Sequence, residues 1–150
     1  MARGYEFEAS ARSRAPVEAI WPLVGEATRW KEWTWMTRTS LLRPGIPPPD
    51  GVGAVRRFAL GPGASHEEVV AWDPPRHLGY VAVRGLPVRL YRADVHLDPD
   101  GTGARVTWRC RLEPRIPGTG AALRFVLRRM VRGFAVRLCR YADATMTTET

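Results

Sequence analysis

Closely spaced turns divide residues 36–114, and their spacing constrains the fold more than any other feature of the sequence. The breaks are rich in proline and glycine, residues that favour chain reversal. They lie at residues 44–51, 61–63, 73–75, 85 and 98–101. The breaks leave six segments, at residues 36–43, 52–60, 65–72, 77–84, 87–98 and 104–114. Connections this short join antiparallel neighbours, so these segments are predicted to form one antiparallel sheet.

Apolar and polar residues alternate along these segments, most clearly in the last two. A period of two is typical of a strand with one covered face. The apolar positions of the last two segments are Tyr91, Ala93, Val95 and Leu97, then Val106, Trp108, Cys110 and Leu112. A further strand begins the chain, because Tyr5, Phe7, Ala9 and Ala11 alternate with polar residues. One face of the predicted sheet therefore needs a cover.

The segment from Gly120 to Asp143 provides that cover. Its apolar residues recur at helical spacing. They are Leu123, Val126, Leu127, Met130, Phe134, Leu138 and Tyr141. A helix of this length spans about 36 Å and can cross a whole sheet. Two short helices are predicted after the first strand, one beginning at Pro16 and one within residues 26–33.

The length of 150 residues indicates a single domain, with a core at about residues 5–142. No apolar run approaches the roughly 20 residues of a membrane span. Residues 1–8 have no hydrophobic stretch typical of a secretory signal, and the two cysteines suggest no disulfide framework. A cytoplasmic protein is therefore expected.

Several short motifs occur in an order found in one superfamily. Ala15-Pro16 precedes the helical Val17–Val24, and Trp30-Lys31-Glu32-Trp33 follows. The mid-sheet segments Gly51–Arg56 and Val69–Tyr80 come next. In this order and spacing the chain resembles the SRPBCC superfamily, which includes START-like lipid carriers, the birch-pollen-allergen class and proteins described as polyketide cyclase/dehydrase. The resemblance covers nearly the whole chain.

The resemblance implies an α+β helix-grip fold, in which a curved seven-stranded antiparallel sheet wraps around a long carboxy-terminal helix. It also implies a largely apolar cavity between the two. We expect this cavity to bind a small hydrophobic or aromatic molecule, because large apolar linings favour such ligands. The predicted ligand-binding residues are Trp30, Trp33, Trp35, Tyr91, Trp108, Val126, Met130, Phe134 and Arg137. For each aromatic residue, ordinary core packing is the competing interpretation.

Catalysis is the alternative interpretation, with an aromatase/cyclase-type reaction on a polyketide chain. Its candidate residues are Tyr91, Arg137 and Glu67. Arg137 falls among apolar residues of the last helix, where it would meet an anion unless its stem carries the charge outward. Neighbours in a strand face opposite ways, so at most one of Glu67 and Glu68 points inward, and a solvated pair is the default interpretation. No complete catalytic set, metal-ligand spacing or cofactor motif is present in the sequence.

Positive charge is concentrated near the carboxy terminus. Residues 101–150 carry ten arginines and three acidic residues. Arg124, Arg128, Arg129 and Arg132 fall on the polar side of the last helix, which predicts a solvated face or a contact with an anionic membrane surface or an acidic partner. Nucleic acid is disfavoured, since no recognised binding motif accompanies the charge. If these arginines contact a membrane, the protein should co-sediment with anionic vesicles more than with neutral ones. Equal recovery with both would contradict the membrane interpretation.

Overall fold

The computed structural model describes residues 4–148, which form one sheet of seven strands and three α-helices. The strands are β1 (Tyr5–Ser13), β2 (Arg38–Arg43), β3 (Val55–Leu60), β4 (Gly63–Asp73), β5 (His77–Arg84), β6 (Val88–Asp100) and β7 (Gly103–Pro114). The helices are α1 (Val17–Gly25), α2 (Trp30–Trp33) and α3 (Gly120–Thr148), and a 3-10 turn, Ala27–Arg29, precedes α2.

The sheet is antiparallel throughout, in the order β1-β7-β6-β5-β4-β3-β2. The predicted succession of one strand, two short helical segments, six strands and a long helix is confirmed. Several strand boundaries differ from the prediction by one to three residues, and the largest difference is in β3, which begins at Val55 rather than at residue 52. Val52 instead pairs with Ile46 in an isolated bridge that closes the proline-rich loop.

The turn at Gly61-Pro62 sets the register between β3 and β4. Gly61 has a φ of 60°, a left-handed conformation that glycine adopts without steric cost. Leu60 pairs with Gly63 across this turn, and the same register places Arg56 opposite Glu67. Both of these charged side chains are buried on the concave face of the sheet.

Helix α3 packs against β1 and β7 through a stripe that recurs every three or four residues. The buried members of the stripe are Leu127, Val131, Phe134, Ala135, Leu138, Cys139 and Ala142. The predicted position of Val126 on this stripe is wrong, because its side chain is 59% exposed. Exposed apolar residues also lie beside the stripe; Phe125, for example, is 66% exposed. Helical spacing does not distinguish these residues from the buried ones, so the predicted centre of the buried face was shifted. Within residues 4–148, no helix is long and apolar enough to cross a membrane.

Candidate functional site

The end of α1 holds two indole rings in the interior. Carbonyl groups in the last turn of a helix lack partners within the helix. The Trp30 indole Nε1–H donates to the carbonyl of Val24 at 2.8 Å, and that of Trp33 donates to the carbonyl of Leu23 at 2.9 Å. These bonds fix the four-residue helix α2 with both rings facing the sheet.

Trp30 lies at the centre of a cluster of aromatic side chains. Its ring centroid is within 4.8–6.3 Å of five other rings. These rings belong to Trp33, Phe58, Tyr80, Trp108 and Phe134, and all are buried. The space between the sheet and α3 was predicted to be a hollow. At its centre that prediction is wrong, because these rings occupy it.

Arg56 is buried within this aromatic cluster. Its side chain is fully buried, and its guanidinium carbon lies 5.0–5.1 Å from the ring centroids of Trp30, Phe58 and Tyr80. Its Nη1 donates weakly to the carbonyl of Val24 at 3.4 Å. Rings at this distance attract a cation through their electron-rich faces. They cannot accept its N–H groups as a carbonyl oxygen would.

Glu67 is the anionic neighbour of Arg56, but the two groups do not complete a hydrogen bond. The distance from Arg56 Nη2 to Glu67 Oε2 is 3.6 Å, which is too long for one. Nε and Nη2 of Arg56 and Oε2 of Glu67 are buried without a hydrogen-bond partner among the described residues. Buried polar atoms are normally paired, and an unpaired one costs about 1–3 kcal/mol.

Burial shifts the titration of both groups. Loss of solvent raises the pKa of Glu67 to about 7, although the positive charge of Arg56 acts in the opposite direction. Burial also lowers the pKa of Arg56, against the attraction of Glu67. The default interpretation of a solvated glutamate pair is therefore wrong for Glu67. Glu68 does face outward, where it accepts a hydrogen bond from Arg43 at 2.9 Å.

Two buried tyrosines lie beside this charged pair on the concave face. The Tyr80 hydroxyl accepts a bond from Trp108 Nε1 at 3.1 Å, and Tyr91, a predicted site residue, donates to Cys110 Sγ at 3.6 Å. Burial raises the pKa of both phenols well above 10 and that of Cys110 to about 12. Neither a phenolate nor a thiolate is therefore available here near neutral pH, and among these groups Glu67 is the one suited to proton transfer.

The remaining predicted residues lie outside this interior. Trp35 is half-buried and stacks on Phe134, with ring centroids 5.2 Å apart. Arg137 is exposed and places its guanidinium 5.0 Å above the Trp35 ring. Of the two placements left open for Arg137, the structure has the one in which the stem carries the charge outward, away from Tyr91 and Glu67. Met130 is half-buried at the edge of the core.

The four arginines predicted for surface contact are all exposed on α3. They are Arg124, Arg128, Arg129 and Arg132. Three of them surround the exposed Phe125 in a depression of about 250 Å³. Contact with an anionic membrane surface through these residues stays a prediction.

Sequence reasoning missed Arg56, although a signal for it exists. The two-residue turn at Gly61-Pro62 pairs Leu60 with Gly63. Each residue further back along β3 then pairs with the residue equally far forward along β4. By that register Arg56 faces Glu67, and the alternation along β3 puts Arg56 on the same face as Phe58. A basic and an acidic residue opposite each other on an apolar face indicate a buried pair.

The chain is similar to one protein family in sequence and to several solved structures in fold. A family model described as polyketide cyclase / dehydrase and lipid transport matches residues 5–143. No curated protein matches the sequence. Among solved structures, norcoclaurine synthase from Thalictrum flavum aligns with a TM-score of 0.75 and 12% identity over 97% of this chain and 98% of its own. Ara h 8.0201 aligns with a TM-score of 0.78 and 10% identity over 95% and 99%. Identities this low show the fold alone, and that fold is the predicted helix grip.

Proposed function

The chain belongs to the polyketide cyclase/dehydrase and lipid transport family, and from this premise we propose that its interior binds a small hydrophobic or aromatic molecule. The binding residues would come from the concave face of the sheet, from α2 and from α3. The chain itself supplies flat apolar surfaces in Trp30, Trp33, Trp108 and Phe134, which suit ring systems.

The observation that carries this proposal is the incomplete pairing of Arg56 and Glu67. Nε and Nη2 of Arg56 form no hydrogen bond with a described residue, although the side chain is fully buried and Nη2 lies 3.6 Å from Glu67 Oε2. A ligand oxygen placed beside them would remove that cost, and a charge-assisted hydrogen bond contributes about 1.5–3 kcal/mol. The expected ligand is therefore apolar with at least one carbonyl or similar acceptor.

Entry of the ligand requires movement, because aromatic rings fill the centre of the interior. The element best suited to move is α2, which has four residues and is attached through side-chain bonds to α1. A short helix outside the sheet can move without breaking the backbone hydrogen bonds that hold core strands together. Displacement of Trp30 or Trp33 with α2 would expose the guanidinium of Arg56.

The neighbouring structures are consistent with this choice of ligand. One structure of norcoclaurine synthase from Thalictrum flavum contains dopamine and hydroxybenzaldehyde. Both names describe small aromatic molecules with polar groups. That protein is similar to this chain in fold only, at 12% identity, so its ligands suggest a class of molecule rather than a substrate.

A pair of ligands that differ in one carbonyl group tests the proposal. We expect 1-acetylnaphthalene to quench the indole fluorescence saturably and to bind about 10-fold more tightly than 1-ethylnaphthalene, because it alone offers an acceptor to Arg56. Arg56→Met should abolish this preference and leave the affinity for the hydrocarbon nearly unchanged. The measurement is the Kd of each ligand from a fluorescence titration.

The control is Arg57→Met, which changes the neighbouring side chain on the opposite face of β3. Since removal of one partner of a buried pair can prevent folding, the double variant Arg56→Met/Glu67→Leu provides a second way to remove the guanidinium. Failure of both naphthalenes to produce a saturable response in the wild type would contradict the proposal. An unchanged preference for the ketone in the variants would rule out Arg56 as the anchor.

Catalysis is a second candidate function, which the pKa of Glu67 favours. A carboxyl group with a pKa of about 7 can accept and return a proton near neutral pH. Together with Arg56, it would suit an aromatase/cyclase-type reaction on a poly-β-keto chain. We expect wild-type protein to change the product distribution of a reactive polyketide intermediate, and Glu67→Gln, but not Glu68→Gln, to lose that effect. An unchanged distribution with the wild type would exclude this activity on the substrate used.

A further inference from the structure

A cavity of about 460 Å³ lies on the outer side of the aromatic cluster, between α2 and α3. We call it the α2–α3 groove. It is lined by Trp33, Gly133, Val136, Arg137, Arg140 and Tyr141. Its volume is within the range of small-molecule sites, about 300–1,000 Å³. Because Trp33 also contacts Trp30 and Phe134, the groove and the interior share a wall.

The spacing of residues along α3 builds one side of this groove. Positions 136 and 137 each lie three or four residues from both 133 and 140, so the four positions share one face of the helix. Gly133 leaves space for Trp35, since a Cβ atom there would lie 3.3 Å from the Trp35 ring. The Trp35 ring also contacts Phe134 and the guanidinium of Arg137.

The part of the chain that the structure describes does not balance the positive charge in the groove. Arg137 and Arg140 form no ion pair with any residue in the described range 4–148. Along the chain, no acidic residue occurs between Glu113 and Asp143. At the other end of the groove, the Tyr141 hydroxyl donates a hydrogen bond to the carboxylate of Glu32 at 2.9 Å.

Glu32 does not neutralise the two arginines. It already forms two hydrogen bonds with Arg29, at 2.9 and 3.2 Å. These bonds hold the pKa of Glu32 below its ordinary value, so it remains charged and paired. The groove thus combines an apolar wall at Trp33 and Val136 with two guanidinium groups that have no counter-ion among residues 4–148.

We propose that the α2–α3 groove recognises the anionic group of the ligand, and that the ligand is an aromatic or apolar acid. The inference rests on the proposed function, because it assigns the apolar part of the molecule to the Trp33 side. Arg137 and Arg140 bind the carboxylate or sulfonate, for which a guanidinium fork offers paired N–H donors. A neutral analogue binds through its apolar part alone and therefore more weakly.

Two fluorescent probes that differ only in a sulfonate group test this inference. They are the anionic 8-anilinonaphthalene-1-sulfonate and the neutral N-phenyl-1-naphthylamine. In the wild type the sulfonate should bind about 10-fold more tightly, as expected for two charge-assisted contacts in a partly exposed groove. Arg137→Gln/Arg140→Gln should remove most of this preference while the Kd of the neutral probe stays within about twofold.

The matched control is Arg84→Gln/Arg89→Gln, which removes the same charge from exposed positions on β5 and β6, outside the groove. Because Arg137 also contacts Trp35, Arg140→Gln alone separates loss of charge from loss of that ring contact, and it should lower the preference about threefold. A preference that survives the double variant, or that falls equally in the control, would overturn the inference.

The outcomes also separate this inference from the proposed function. If the neutral probe binds and the sulfonate binds no better, the interior takes hydrophobic molecules and the groove does not recognise an acid. If neither probe binds to the wild type, both proposals are contradicted. A preference confined to proteins that keep Arg137 and Arg140 supports both.

Discussion

Replacement of Trp30 by alanine should lower the free energy of unfolding by about 3–5 kcal/mol, the range observed for large buried aromatic residues. The ring is 1% exposed and touches five other aromatic rings. The substitution also removes the donor that satisfies the carbonyl of Val24. Urea unfolding followed by far-ultraviolet circular dichroism measures the change through the midpoint and slope of the transition.

Trp35→Ala is the control for this prediction, because it removes the same side chain from a half-buried position. We expect a loss of about 1–2 kcal/mol there, since less apolar area leaves water on folding. Equal losses for the two variants would contradict the central position assigned to Trp30. A loss below about 1 kcal/mol for Trp30→Ala would indicate that the cluster is loosely packed.

The stability of the protein should fall as the pH rises from about 4.5 to about 7 because of Glu67. Its pKa is about 7 in the folded state, against an ordinary value of 4.5. Between these values the folded state holds a proton that the unfolded state has lost, so a rise in pH favours unfolding. The shift corresponds to a loss on the order of 3 kcal/mol, complete above about pH 7.

Glu67→Gln isolates this contribution, since the variant cannot titrate at position 67. The stability of the wild type must be compared with that of the variant, because His96 also titrates in the folded protein. Burial lowers the pKa of His96, so its contribution to stability rises with pH while that of Glu67 falls. Glu68→Gln serves as the matched control on the outer face. A wild-type stability that runs parallel to that of Glu67→Gln from pH 4.5 to pH 8 would show that Glu67 is ionised throughout and that burial does not raise its pKa.

The architecture could be predicted from the sequence because it depends on local signals. Turn residues at 61–63, 73–75 and 98–101 separate strands that alternate cleanly, and short connections leave only antiparallel pairing. The order of motifs from Ala15-Pro16 to Val69–Tyr80 carried the resemblance to the superfamily, which implied the helix-grip fold. These features do not depend on how individual side chains fill the interior.

The site was harder to predict because it depends on facing and packing. Arg137 and Val126 satisfy helical spacing, but the buried stripe of α3 is centred on Leu127, Val131 and Phe134. Successive residues are about 100° apart around a helix, so a smaller rotation of the helix about its axis already changes which side chains enter the core. Arg56 could be predicted only by combining the register of one turn with strand alternation. Periodicity does not report whether aromatic rings fill an interior or line it.

The most direct test of the account is a heteronuclear NMR titration of the wild-type protein with 1-acetylnaphthalene. The six tryptophan indole groups and the Arg56 Nε–H report on separate parts of the molecule. We predict that the signals of Trp30, Trp33, Trp108 and Arg56 shift together and saturate. Trp21 and Trp72, which contact each other with ring centroids 5.1 Å apart, should change little. Shifts confined to Trp21 and Trp72, or saturation without any response from Arg56, would contradict binding in the interior between the sheet and α3.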